Sequence, residues 1–203
     1  MARDRQSKGK NLRKSIYVFT EGYTEKNYFS ILNKKYNRTA TVKVSIHPTS
    51  KQGRCLLNHA LGKISTLSKT EKRNLGGVYI IFDKDSLEND EIEGVLKEAK
   101  ASNIDIGFSN SCFEVWLLAH FEKPNESHTK DRLYKKLEEY LDCEQYERNH
   151  KNDKELLMQL EDLVSIAMEN TSSMEGLSQK TIIHEPYTNI GSMIQSIYDQ
   201  DFY

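Results

Sequence analysis

The sequence lacks a dominant charge. Its 29 lysines and arginines stand against 30 aspartates and glutamates, a formal net charge of −1 over 203 residues. That excludes a uniformly basic nucleic-acid coat but leaves room for a local basic patch. Long apolar runs are also missing, and none approaches the roughly 18 residues that a membrane helix needs. No apolar segment follows the charged N-terminus, so a secretory leader is not expected and a cytoplasmic setting is. Cysteine is sparse: Cys55, Cys112 and Cys143 are scattered and show no CxxC spacing. An odd, dispersed set argues against a disulfide framework or a structural zinc site. Hydrophobic residues make up 37% and charged ones 29%, a low apolar share that is still that of a folded chain. The length suits one domain, or one domain with a small appendage.

What is present is an alternation of elements. Residues 1–14 are a polar arm in which Arg3, Arg5, Lys8, Lys10, Arg13 and Lys14 face Asp4 alone. It reads as a solvated tail or as a phosphate-contacting arm. Segment 15–19 is short, β-branched and aromatic, a buried strand, and Gly22 permits a tight turn after it. From Thr24, an expected N-cap, helical spacing runs to about residue 37. Alternating Val42, Val44 and Ile46 predict a second strand ended by Pro48. Helical spacing over 55–67 follows. Gly76-Gly77 is expected to break the chain before the strand-like run 78–82. A helix at 92–101 and a strand at 104–108 complete the series. Such alternation predicts βαβ crossovers and a mostly parallel sheet covered on both faces. After Ser109 only helices are expected, over 113–121, 132–141, 154–168 and 191–198. The division is a basic arm at 1–14, an α/β core at 15–121 and a helical portion at 122–203.

Carboxylates gather at the strand ends. Glu21 and Glu25 lie in Phe19-Thr-Glu-Gly-Tyr-Thr-Glu25, at the junction of the first strand and helix. Sites in open parallel sheets form beyond the carboxyl ends of strands, which is where Glu21 falls. Asp83 and Asp85 lie in Phe82-Asp-Lys-Asp-Ser86; alternate strand residues share a face about 6.6 Å apart, so both can reach one cation. Carboxylates without a neighbouring His or Cys form a hard oxygen site, suited to Mg²⁺ or Mn²⁺ rather than zinc. The competing reading is that an Asp after a strand merely caps a turn. An EF-hand is excluded: counting from Asp83, the required Gly is Glu88 and the required final Glu is Gly94. Glu114, in Ser109-Asn-Ser-Cys-Phe-Glu-Val-Trp-Leu-Leu-Ala-His-Phe121, is either a surface acid near a helix start or a further site carboxylate or general base. Asn110 is a candidate for holding a phosphate or hydroxyl. Lys51, Arg54 and Lys84 are rim candidates for phosphate. His120 reads as a core or surface histidine.

The succession Glu-Gly-x-Thr-Glu, then Phe-Asp-x-Asp, then Ser-Asn-x-Cys-Phe-Glu-x-Trp-Leu-Leu-x-His-Phe resembles the RloB-like family. It also resembles the wider Toprim group of metal-dependent nucleases and topoisomerase or primase domains. The likeness runs through Tyr187-Thr-Asn-Ile190. Ser111 stands where the family often has Pro, and Glu185-Pro186-Tyr187 replaces the usual Asn-Pro-Ser. The resemblance implies a Toprim-like, mostly parallel sheet of about four strands flanked by helices. It implies that Glu21 acts as general acid/base; Glu25 and Glu114 are further catalytic candidates. Asp83 and Asp85, with Glu21, would hold Mg²⁺ or Mn²⁺. The expected activity is a metal-dependent endonuclease cleaving RNA (including tRNA) or DNA in anti-phage abortive infection. A separately encoded ATPase is the expected partner, since the chain has no GxxxxGK[ST] loop. The alternative is a non-catalytic nucleic-acid-binding or regulatory subunit.

Overall fold

The computed structural model describes residues 13–36 and 42–198. Arg3, Arg5 and most of the basic arm therefore lie outside the described residues. Four strands run parallel: β1 (Lys14–Thr20), β2 (Val42–Pro48), β3 (Leu75–Asp83) and β4 (Asp105–Asn110). A fifth, β5 (Tyr187–Thr188), pairs antiparallel with β4, and the order is β2-β1-β3-β4-β5. The architecture is α/β and is consistent with a Toprim-like arrangement.

Strand alternation sends apolar side chains to both faces. Ile16, Val18, Tyr79 and Ile81 join one buried cluster, and Phe19, Val78, Ile80 and Phe82 the other. Helix α1 (Tyr23–Tyr36) covers the first face with Tyr28, Phe29, Ile31 and Leu32. Helices α2 (Gly53–Ser65) and α4 (Asn89–Ala101) cover the second with Leu56, Leu57, Ile92 and Val95. The short α3 (Lys69–Arg73), which the spacing did not predict, is set by a capping box between Ser68 and Glu71. The helices that follow β1 and β3 thus leave on opposite faces of neighbouring strands. A crevice opens at the carboxyl ends of such a pair, and both acidic motifs lie there.

Beyond β4 the chain forms α5 (Glu114–Leu118), α6 (Lys130–Leu141), a π-turn (Tyr146–His150), α7 (Lys154–Met158), a 3₁₀ turn (Glu161–Leu163), α8 (Val164–Thr171) and α9 (Ile190–Tyr198). Leu137, Leu157, Leu160, Ala167 and Ile194 pack in the same cluster as α1.

Three sequence expectations are corrected. Gly76 and Gly77 do not precede β3 but lie within it, where the β1–β3 register slips between Ser15 and Ile16. A Cβ at Gly76 would come within 2.9 Å of Lys14 Cβ, so the glycine allows the strands to close over the extra residue. The helix expected at 154–168 is broken, with Leu157 and Leu160 both fully buried around the break. β5 was missed because two residues carry no alternation. Its pairing is completed by the Asn189 side chain, which accepts from the Phe108 N–H at 2.7 Å and donates to the Ile106 carbonyl at 2.8 Å, replacing a strand residue.

Candidate functional site

The four strand ends are tied into one rim. The Glu21 N–H donates to the Ile81 carbonyl, Ser50 N–H to the Glu21 carbonyl, Lys84 N–H to Ser109 and Asp85 N–H to Ser111. Glu21 therefore stands beside the end of β3, and Asp83 is the last residue of that strand. Glu25 is buried in the first turn of α1. Gly22 makes this possible: a Cβ there would lie 2.7 Å from Glu25 Oε2. Glu114, buried to 1% exposure, comes from the first turn of α5.

These four carboxylates repel one another. Burial raises Asp83 well above the usual carboxylate range, and the charges of Glu25, Glu114 and Glu21 add to it. Burial likewise pushes Glu25 up to about 7, with Glu114 and Glu21 contributing. Glu21 is raised by burial, tempered by the Asp83 backbone amide and by Lys130 and Lys151. Each of the four has a shielded oxygen with no hydrogen-bond partner: Glu21 Oε2, Glu25 Oε2, Asp83 Oδ1 and Glu114 Oε1. Unpaired buried carboxylate oxygens cost stability unless something compensates them. Hard oxygen donors with open lone pairs are what Mg²⁺ or Mn²⁺ takes. Among the described residues, however, no group of three or more His, Cys, Asp or Glu side chains forms a ready metal cage. The fit lies in the donor set and its unpaired oxygens, not in a closed coordination shell.

Asp85 stands apart from the four shielded acids. Its backbone is in the left-handed region at φ 38°, tolerable for Asp, and its carboxylate takes a 2.5 Å hydrogen bond from Lys130 Nζ at the start of α6. It sits at the exposed edge of the rim, while Glu25 and Glu114 are the stronger electrostatic neighbours of Asp83. Asn110 is also corrected. It is buried, and its amide nitrogen donates to the Ile182 and His184 carbonyls at 3.2 and 2.8 Å, holding the 182–184 loop rather than facing a ligand. Arg54 is paired with Glu98 of α4, joining two helices. Lys51 is exposed on the turn after β2, and Lys84 lies between the two aspartates with its side chain partly exposed. Thr24 is not the N-cap of α1, since the helix begins one residue earlier. His120 is a core residue, bonded to Tyr28 Oη at 3.0 Å and to the Trp116 and Leu117 carbonyls. Burial holds the Cys112 thiol well above its usual range, with Glu114 and Asp83 reinforcing this, so it stays protonated and inert.

Spacing gave no sign of Lys130 and Lys151. Lys151 Nζ lies 3.8 Å from Glu114 Oε1 and 3.2 Å from Tyr134 Oη. Both lysines come from the helical portion, far along the chain from the acids they face.

An α/β sheet with carboxylates at its central strand ends defines the class: an α/β protein with an acidic crevice at the carboxyl ends of its parallel strands. Within that class, the profile of the family described as RloB-like protein matches residues 16–197. The chain belongs to the RloB-like family. Comparison with curated proteins and with solved structures gave no match.

Proposed function

We propose that the chain is a metal-dependent phosphodiesterase acting on nucleic acid, RNA (including tRNA) or DNA. The observation that carries this reading is the set of four shielded, unpartnered carboxylate oxygens on one rim. Glu21, Asp83 and Glu114 would hold Mg²⁺ or Mn²⁺, with Asp85 at the outer edge. Bound there, the cation would neutralise charge on the phosphate oxygens and lower the pKa of a bound water. The reaction is hydrolysis. A water oxygen bonds to phosphorus, the water proton passes to a carboxylate, one ester P–O bond breaks, and the departing oxygen is protonated. Glu25, pushed up to about 7, suits the proton-carrying role, because efficient acid–base groups titrate near the working pH. Exposed Lys51 and partly exposed Lys84 supply phosphate contacts on the rim. The setting is anti-phage defence, with a separately encoded ATPase restraining or releasing the activity.

The test is incubation of the chain, alone and co-purified with an ATPase from its own locus, with labelled tRNA, single-stranded RNA and duplex DNA. Mg²⁺, Mn²⁺ or EDTA is present in parallel. Cleavage of at least one substrate that EDTA abolishes is the expected result. Binding without cleavage under every condition would instead favour a nucleic-acid-binding subunit, a reading supported by the Asp85–Lys130 pair and the open carboxylate geometry.

A further inference from the structure

Lys151 is held at the acidic rim by more structure than a surface lysine needs. The turn that carries it is latched to the first turns of α1. Thr24 Oγ1 donates to the Lys151 carbonyl at 2.8 Å and lies 3.0 Å from Asn152 Oδ1, while Asn27 Nδ2 donates to the Asn152 carbonyl at 2.8 Å. These bonds use the Lys151 carbonyl and Asn152, and none uses the Lys151 side chain. Tyr134 guides that side chain, with its hydroxyl 3.2 Å from Nζ and its ring centroid 5.4 Å away. The ammonium ends 3.8 Å from Glu114 Oε1, beyond hydrogen-bond reach of an oxygen that has no other partner. Its side chain keeps 38% exposure against 1% for Glu114. One side of the cation thus faces buried carboxylates and the other faces solvent.

A hydrogen-bonded salt bridge would fix the ammonium on Glu114. A through-space pair at 3.8 Å with a solvent-facing side leaves it free to exchange partners. A lysine ammonium is a compact charge with three rotatable donors on a flexible stem, suited to either a carboxylate or a phosphate oxygen. We propose that Lys151 is a shared cation of this site: it compensates the Glu114 side of the carboxylate cluster when no divalent ion is there, and gives way to that ion to take a phosphate oxygen of the nucleic acid. The inference rests on the reading of the rim as a divalent-cation site. Two consequences follow from the geometry. Lys151 competes with the divalent ion for the same carboxylates, and it adds one phosphate contact.

The experiment is calorimetric titration of the protein with Mn²⁺ alone, together with binding of a labelled single-stranded RNA oligonucleotide at a fixed saturating concentration of Ca²⁺, another oxygen-seeking divalent ion, across a monovalent salt series. Lys151→Met keeps the length and the latch but removes the charge. It should bind Mn²⁺ several-fold more tightly than the unaltered protein, while its RNA salt slope falls by about 0.7, the share of one phosphate on a single strand. Lys151→Arg should keep both properties near those of the unaltered protein. Tyr134→Phe, which keeps the ring and the fold but loses the guiding hydroxyl, should shift Mn²⁺ affinity in the same direction by less; it decides the matter should Lys151→Met fail to fold. Mn²⁺ binding by the unaltered protein that neither Lys151→Met nor Tyr134→Phe tightens would overturn the shared-cation proposal alone. Absence of Mn²⁺ binding in every form, with RNA binding intact, would overturn the metal-site reading and this proposal with it.

Discussion

The α/β core and the helical portion bring opposite charge to the same rim. The core supplies Glu21, Glu25, Asp83, Asp85 and Glu114 from strand ends and first helical turns. The helical portion supplies Lys130 and Lys151, one on Asp85 and one beside Glu114. The acids are mostly shielded, and four of their oxygens lack partners; both lysines stay more than one-third exposed. The difference teaches which half is fixed and which is adjustable. A shielded carboxylate at a strand end cannot move without breaking the sheet, whereas an exposed ammonium on a flexible stem can. Charge compensation at this rim is thus a property of how the two halves meet.

Removing the core's contribution should produce the largest effect. Asp83→Asn keeps the shape of the side chain but takes away the most strongly crowded charge. Divalent-dependent cleavage should fall by about a hundredfold or more, the scale of losing one electrostatic stabiliser of a transition state. The melting temperature in EDTA should hold or rise, because one repelling carboxylate is gone. Cleavage and thermal melts of the same preparation check both parts. A variant that loses its cooperative melt along with activity would make Asp83 a structural residue instead.

Titration within the core, where acids and a buried histidine pull in opposite directions, offers a second test. A folded-state carboxyl raised to about 7, as at Glu25, keeps its proton where the unfolded chain has released it. Its stability contribution is therefore complete below about pH 4.5 and is lost as pH rises through 7, at a cost of about 3 kcal/mol. Asp83 and Glu21 are raised too and act in the same direction. His120 opposes them: burial lowers it to about 4, so its contribution is present above pH 6.5 and is lost as pH falls toward 4. In EDTA the carboxylates should prevail, and urea-unfolding free energy should fall between pH 5 and 8. Mg²⁺ should restore much of it at pH 8. Glu25→Gln should flatten or reverse the slope by unmasking His120. A profile that rises with pH in EDTA and ignores Glu25→Gln would show that the carboxylates do not crowd one another as described.

The two halves also differ in how plainly the chain announces them. The parallel strands were legible because apolar runs at 15–19, 78–82 and 104–108 are bounded by turns and separated by helical spacing. Glu21 and Asp83 were legible because a strand end in such a sheet is a defined place. The geometry of Asp85 was not legible, because period-2 spacing does not foresee a left-handed residue after the strand. Lys130 and Lys151 were illegible for a different reason. Their partners Asp85 and Glu114 lie far back along the chain, and nothing local marks a lysine that will meet a carboxylate across the fold. Asn110 had the right residue type at the right strand end, yet its amide is taken up by two loop carbonyls.

A smaller effect is expected from the arm that precedes β1. Removing residues 1–12 should leave the melting temperature unchanged while lowering the salt slope of nucleic-acid binding by about 0.7–0.9 for each phosphate the arm had neutralised. Filter binding across a salt series measures it. An unchanged slope would assign those residues to a solvated tail and leave phosphate recognition to the rim lysines.

The smallest effect belongs to the latch between the two halves. Thr24→Val is close to isosteric and removes only the hydroxyl that donates to the Lys151 carbonyl at 2.8 Å. Leaving that carbonyl without its donor should cost about 1 kcal/mol of stability, the usual net worth of such a bond, read as a shift in the urea midpoint with an unchanged slope. Asn27 still donates to the Asn152 carbonyl, so the turn should remain in place while Lys151 gains freedom. If the charge of the helical portion matters through its placement, this variant should bind Mn²⁺ slightly more tightly, in the direction of Lys151→Met and by less. A destabilisation of about 1 kcal/mol with no change in Mn²⁺ affinity would mean that the latch serves the fold and that Tyr134 alone aims the ammonium.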